Sequence, residues 1–312
     1  RSVVLDLKSD EGRAAFLDLA ETADIVCENF RPGVSEQLGV GYDDVRARRP
    51  NVIHASLTGF GPMGPWSDRP AYDHILQGVS GLMAMTGAPE SGPMRVGMPI
   101  ADYVAGQALV AALLGALLKR AREPGVPQKI EISMLDAVTT MMGPYAIHHE
   151  KTGALRGLEG NRAFSDSPFS GRFETEDGWL VVTANAPASA RRLCAALGRE
   201  DLLGMDPASV EEVLPSIFMT RSADAWEERL AEAEVPAARV RTLAEVLAHP
   251  QMAGTPCWLP LDQPGVGTVR APSLPFRAPW SPEVLSPVPT FGQHTEEVLA
   301  IIGRAHQSKE AT

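Results

Sequence analysis

The chain has 312 residues, 44% apolar and 21% charged, the balance of a globular protein with room for a sizeable core and two domains. Its formal net charge of −11 argues against nucleic acid or an anionic membrane as the main partner, and an anionic cofactor would need a local basic pocket. Cys27, Cys194 and Cys257 stand far apart without CxxC or Cys/His spacing, which points to no metal and to a reducing cytoplasm.

Val3 to Leu7 reads as a short apolar strand. Glu11 to Ala20 has helical spacing, with Phe16, Leu17 and Leu19 on one side, and Ala23 to Cys27 is a second strand. A loop, Glu28-Asn29-Phe30-Arg31-Pro32-Gly33, leads to a short polar helix over Tyr42 to Arg49 and a third strand over Asn51 to Leu57. This alternation predicts a parallel sheet with helices on its faces, and ligands bind such sheets beyond the carboxyl ends of the strands. The Asn29 and Gly59 loops fall at those ends. Gly59-Phe60-Gly61-Pro62-Met63-Gly64 matches G-x-G-x-x-G, yet Pro62, Pro65 and Trp66 keep it from opening into a helix, so it is not a dinucleotide site. A helix becomes plausible from about Ala71.

Next, a loop holding Gly97 and Pro99 ends at Asp102, and a long apolar helix follows over Val104 to Leu118. Asp102 fits a helix N-cap, and free amides there favour its ionised form. The longest apolar run, around Ala108 to Leu118, reads as too short to span a bilayer, and no signal peptide is legible. Gln128 to Ser133 alternates like a strand, Met134 to His149 is helical, and Gly153 to Ser167 is a polar connection. Phe173 to Val182 reads as a hairpin turning at Asp177-Gly178. Helical patches follow at Ala188–Leu197, Val210–Met219, Ala223–Ala233 and Leu243–Ala248. Pro260 to Pro289 is expected to be extended, a final helix covers Glu296 to Ile302, and the tail from Arg304 is expected to be disordered. The domains expected are a large α/β domain over 1–172, a small α+β domain over 173–260, and a return segment with a C-terminal helix over 261–312.

One ordered set of motifs runs along the chain: Asn29-Phe30-Arg31-Pro32-Gly33, the Gly59 loop, Tyr72-Asp73 with Gln77, Gly97-x-Pro99-x-x-Asp102, Gly160-Asn161-Arg162 and His294-Thr295. Together these resemble the class III CoA-transferases, the family of formyl-CoA transferase and the carnitine CoA-transferases. The resemblance implies a Rossmann-like parallel-sheet large domain, a smaller α+β domain and an interlocked homodimer. It implies that acyl-CoA and carboxylic acids are the substrates and that CoA moves between acids through an aspartyl anhydride and an aspartyl-CoA thioester. Asp102 would be the nucleophile; a carboxylate with a pKa near ~3.9 needs no general base at neutral pH. The helical turn beyond it would supply oxyanion donors.

Other roles follow from the same resemblance, each beside a plainer alternative. Asp73 would orient or exclude an acceptor, or be a surface residue of a helix's first turn. Tyr72 would stack on CoA or donate its hydroxyl, or be a half-buried core tyrosine. Arg31 and Arg69 would hold CoA phosphates, or be solvated. Asn29 and Phe30 would touch CoA, or Phe30 would be a hydrophobic plug. Relatives often carry a basic residue where this chain has Gln37, a departure that bears on the phosphate contacts. His74, His148 and His149 read as structural, and His294 as part of a helix-start loop. Chains of this kind carry a further N-terminal strand–helix unit, used partly to hold CoA, and that segment is expected to be missing here. Two rivals stand beside the transferase. One is an α-methylacyl-CoA racemase of the same fold, which needs a His near the position of Tyr72; the other is a non-catalytic acyl-CoA binder.

Overall fold

A computed structural model describes residues 1–162, 165, 167–255 and 257–310, the last seven as backbone alone. Ala163, Phe164 and Asp166, within the connection expected over Gly153–Ser167, lie outside the described residues. The chain divides into two compact units, Arg1–Glu159 with Pro289–Thr312, and Gly160–Val288.

The first unit is built on α1 (Asp10–Thr22), β1 (Ile25–Glu28), α2 (Val34–Gln37), α3 (Tyr42–Arg48), β2 (Ile53–Thr58), α4 (Asp73–Val79), a two-strand ribbon of β3 (Gly87–Ala88) and β4 (Gly92–Pro93), α5 (Ile100–Arg122), β5 (Gln128–Ser133), α6 (Met134–Met141) and α7 (Gly143–Thr152). Its sheet has the order β1-β2-β5, parallel throughout. The central β2 carries buried Ile53, His54 and Ala55. Leu76, Ala101, Ala105, Met134 and Val138 form a core between α4, α5 and α6.

Val3–Leu7 is not a strand. Its backbone is instead tied to the loop before the C-terminal helix Thr295–Glu310. Ser2 accepts from the His294 amide at 2.9 Å, and Val4 donates to Thr295 Oγ1 at 3.0 Å. These bonds tie the start of the segment to that loop rather than to a sheet neighbour. The C-terminal helix also continues through Glu310, past the point where disorder was expected. The Met134–His149 helix is two helices, because Pro144 at the start of α7 cannot extend the ladder of α6.

α5 corrects the reading of its apolar run. It spans 23 residues and is long and apolar enough, by length and composition, to cross a membrane. It packs on α4, α6, β2 and β5, while Tyr103, Val110, Leu114 and Leu118 stay exposed.

The second unit holds an antiparallel sheet of β6 (Gly171–Thr175), β7 (Gly178–Val182) and β8 (Ala237–Arg239), in that order. Helices α8 (Pro187–Leu197), α9 (Pro207–Phe218), α10 (Ala223–Glu232), α11 (Leu243–Ala248) and α12 (Pro250–Ala253) accompany it. Leu180, Leu193, Leu214, Phe218, Trp226 and Leu230 make its core. The stretch expected to be extended contains a hairpin, β9 (Trp258–Gln263) with β10 (Gly267–Pro272). Its turn has Pro264 followed by Gly265 at φ 79°, with Val266 N–H donating to Gln263 O at 3.0 Å. Proline then a left-handed glycine is what a type II turn requires.

Candidate active site

The site lies at the carboxyl ends of β1 and β2. Just beyond β1, Asn29 Nδ2 donates to Leu57 O at 2.5 Å, tying this loop to the end of β2. Phe30 N–H donates to the Glu28 carboxylate at 2.6 Å, and Phe30 is 42% exposed. After β2, the Gly59 loop returns without forming a helix. A Cβ at Gly59 would meet the Ala71 Cβ at 2.3 Å, so glycine is what lets the loop close on the approach to α4. Trp66 lies edge-on to Phe60, and the Arg69 guanidinium sits 4.8 Å from the Trp66 ring centre. Tyr72 caps α4 with its side chain 68% exposed. Tyr72 is thus not a core residue, and Phe30 lies partly open at the cavity wall.

α5 begins two residues earlier than Asp102, at Ile100, with Pro99 in the cap position. Asp102 is thus the third helical residue and does not cap. Asp73 takes that duty from across the site. Its Oδ1 accepts from the Ala101 N–H at 2.7 Å, and its Oδ2 accepts from Gln77 Nε2 at 2.6 Å. Gln77 is fully buried. Its amide also donates to Met98 O at 3.3 Å, and its Oε1 accepts from Val96 N–H at 2.8 Å. One glutamine therefore fixes both the loop before α5 and the carboxylate that caps it.

Asp102 is exposed, and among the described residues its carboxylate has no hydrogen-bond or ion-pair partner. Partial desolvation at the cavity wall, and then the negative charge of Asp73, raise its pKa from the ordinary carboxylate value. This overturns the expectation that helix amides would favour the ion. The amides of Ile100, Ala101 and Tyr103 already donate to Met98 O, Asp73 and Pro99 O. The same occupancy removes the Tyr103 amide as a ready oxyanion donor.

A cavity of about 560 Å³ collects Asn29, Phe30, Arg31, Arg69, Tyr72, Asp73 and Asp102, with Leu109 and Met134 as apolar wall. All seven residues singled out in the sequence line this one space. A second opening, about 530 Å³, shares Tyr72, Asp73 and Asp102 and adds His74, Arg95 and Pro99. Gln37 ends α2 and lines neither. Among the described residues no cluster of three His, Cys, Asp or Glu could hold a metal ion. His294 accepts from the Ser2 N–H through Nδ1, within the loop before the C-terminal helix. Two residues escaped the sequence reading. Gln77 stood in a quoted motif, one turn after Asp73, where helical i,i+4 pairs meet. Arg95, on the loop before α5, lines the second opening and carries no local sequence signal.

A parallel α/β unit with an unpaired aspartate at the start of a long helix, in a cavity carrying arginines, offers a carboxylate and cationic side chains in one space. Residues 1–295 match CoA-transferase family III, and the chain belongs to that family of enzymes. An acyl-CoA transferase of Fusarium pseudograminearum (strain CS3096) is 32% identical over 97% of this chain and 69% of its own length. The succinate–glutarate CoA-transferase of Agrobacterium fabrum (strain C58) is 32% identical over 96% of this chain and 78% of its own. Among solved structures, a CAIB/BAIF family protein from Brucella suis superposes with a TM-score of 0.85 at 27% identity, covering 97% of this chain and 81% of that one. Family III enzymes of this kind use acyl-CoA as substrate and move CoA between carboxylic acids.

Proposed function

We propose that Asp102 is the nucleophile of a CoA transfer between two carboxylic acids. The observation that carries this reading is the division of labour between two neighbouring carboxylates. Asp73 has both oxygens engaged, whereas Asp102 stands unpaired in the cavity. An oxygen of Asp102 attacks the thioester carbonyl of the donor acyl-CoA; the C–S bond breaks, leaving a mixed anhydride and CoA thiolate. The thiolate attacks the aspartyl carbonyl, and the donor acid leaves as carboxylate. The acceptor carboxylate then attacks the aspartyl-CoA thioester and releases the thiolate. Attack of the thiolate on the acceptor's carbonyl gives the new acyl-CoA and frees Asp102. No step needs a net proton transfer, so the mechanism asks no general base of the site. Asn29, Phe30, Arg31, Arg69 and Tyr72 line the side that receives the CoA arm, with the two guanidiniums as phosphate partners.

The active form in this reading is an interlocked homodimer. Its support is apolar surface left open on the first unit, with Val110, Leu114 and Leu118 along α5 and Phe291 89% exposed.

Loading the enzyme with a donor acyl-CoA and no acceptor tests the mechanism. Intact mass should rise by one CoA, and borohydride should reduce the loaded aspartate to its alcohol in the peptide holding Asp102. An adduct on Asp73, or turnover with no trapped adduct across several donors, would refute the assignment.

A further inference from the structure

We infer that Gln77 is a positioning residue that settles which of the two aspartates in the cavity reacts: it locks the Asp73 carboxylate out of the chemistry and leaves Asp102 free to attack. The inference rests on the reading of Asp102 as nucleophile. Asp73 and Asp102 line both openings of the site, so a thioester held there meets both carboxylates. Residue type does not separate them; hydrogen bonding does. Asp73 Oδ2 accepts from Gln77 Nε2 at 2.6 Å, and Oδ1 accepts from the Ala101 N–H at 2.7 Å. Bonds this short to an ionised carboxylate are of the strong, charge-assisted kind. They draw charge from both oxygens and hold them away from another electrophile. Asp102 has no such partner among the described residues.

Gln77 can donate in this direction only. It is fully buried, and its Oε1 accepts from the Val96 N–H at 2.8 Å. That bond turns the amide nitrogen toward Asp73, and the nitrogen's second hydrogen goes to Met98 O at 3.3 Å. A flipped amide would set its oxygen against the Asp73 carboxylate and its nitrogen against the Val96 N–H, losing every bond at a buried position. Burial also keeps water from replacing the donor. Without Gln77, Asp73 keeps one oxygen on the Ala101 N–H and has the other free in the same cavity as the thioester. The free oxygen would then attack the thioester carbonyl. The C–S bond breaks, and a mixed anhydride forms on Asp73 with CoA thiolate beside it. The thiolate takes the aspartyl carbonyl, and the donor acid leaves as carboxylate.

The test asks the locked aspartate to react. The full chain is incubated with a donor acyl-CoA and no acceptor, and the adduct is located by intact mass, borohydride reduction and peptide mapping. Asp102→Asn should carry no adduct, because Gln77 still holds Asp73. The double variant Asp102→Asn with Gln77→Leu should regain one, a single CoA in mass, in the peptide holding Asp73. Gln77→Leu alone should divide its adduct between the two peptides. It should also lower kcat by about tenfold, the scale of one charge-assisted hydrogen bond, with KM for the acyl-CoA little changed. A merely structural role would lower loading but would not move it to a second residue. Gln77→Met, unbranched and also without a donor, repeats the set if circular dichroism shows the leucine variant unfolded. An adduct on Asp73 in Asp102→Asn with Gln77 intact, or a folded double variant with none, overturns the inference. The wild type keeps the two readings apart. Failure to load at Asp102 refutes the nucleophile, whereas loading there beside a folded, unloaded double variant refutes the role of Gln77 alone.

Discussion

The Asp73–Gln77 pair offers the sharpest test of how the site is built. Asp73→Ala removes the acceptor of the Ala101 N–H, in a residue with no exposed surface, and one of the acceptors of the buried Gln77 amide. Leaving a buried donor unsatisfied costs about 1–3 kcal/mol. Gln77→Leu keeps side-chain volume but strands the Val96 N–H and takes a donor from the Asp73 carboxylate. One neutral and one charge-assisted hydrogen bond together suggest a loss of about 2–4 kcal/mol. Because the two side chains share a bond of 2.6 Å, the double variant should lose less than the sum, with a coupling of about 1–2 kcal/mol. Urea unfolding gives the energies, and hydrogen exchange of peptides covering 95–105 locates them. Additive losses within about 0.5 kcal/mol, with exchange at 95–105 unchanged, would show that the pair does not hold the start of α5.

Other consequences follow from single residues. Asp102→Asn should fold with an unchanged or higher Tm, since burial and Asp73 raise the native pKa of Asp102 above its unfolded one, and should lose transfer; near-normal turnover would refute the nucleophile. His54 is buried with neither ring nitrogen paired, and burial holds its pKa below the ordinary value, partly offset by Glu28. The unfolded chain takes up that proton near pH ~6.5, so His54 should cost stability as pH falls from there towards its lower native pKa. Urea midpoints at pH 7 and pH 5 should diverge less in His54→Leu than in the wild type. If the proposed homodimer forms through the open face of α5, Leu114→Glu should give monomer or aggregate by light scattering, and a variant that is dimeric would move the interface elsewhere.

The parts of this fold that were legible in the sequence are those whose signals are local. The strands at Ile25 and Ile53 and the hairpin across Asp177 announce themselves by alternation and turn residues. So does the close of the Gly59 loop, where prolines forbid a helix. Val3–Leu7 differs because an apolar run alone does not say whether a neighbouring strand exists; the partners of Ser2 and Val4 come from Gly292–Thr295, at separations of 290 to 292 in sequence. The β9–β10 hairpin was hidden by its prolines, although Pro264-Gly265 was the turn signal. At the site, the candidate list was readable as residue types but not as bonds. Which aspartate caps α5 depends on α4 lying against its first turn, and no spacing around Asp102 encodes that. Arg95 had no local signal, because a lone arginine gains meaning from the cavity it faces.

The pairing of two carboxylates also sets a pH dependence. Asp102 is raised first by burial and second by the charge of Asp73. Below its raised pKa the group is protonated and cannot attack a thioester, so CoA loading should fall as pH drops through that value. Asp73→Asn retains an oxygen for the Ala101 N–H but removes the charge, so the acid limb of loading should move to lower pH. It should not return to the ordinary carboxylate range, because burial remains. Stability runs the opposite way. A carboxyl whose native pKa exceeds its unfolded one contributes stability that is present at low pH and lost as pH rises through the native value. The charged Asp102 that the proposed mechanism needs therefore costs the fold stability above that pKa. Asp102→Asn should therefore gain most over the wild type above that pKa and least below it. Single-turnover loading against pH, beside urea midpoints at the same pH values, reads both limbs. An acid limb unmoved by Asp73→Asn would leave burial as the sole cause. A limb displaced to higher pH would mean that Asp73 aids ionisation, contrary to two negative charges sharing one cavity.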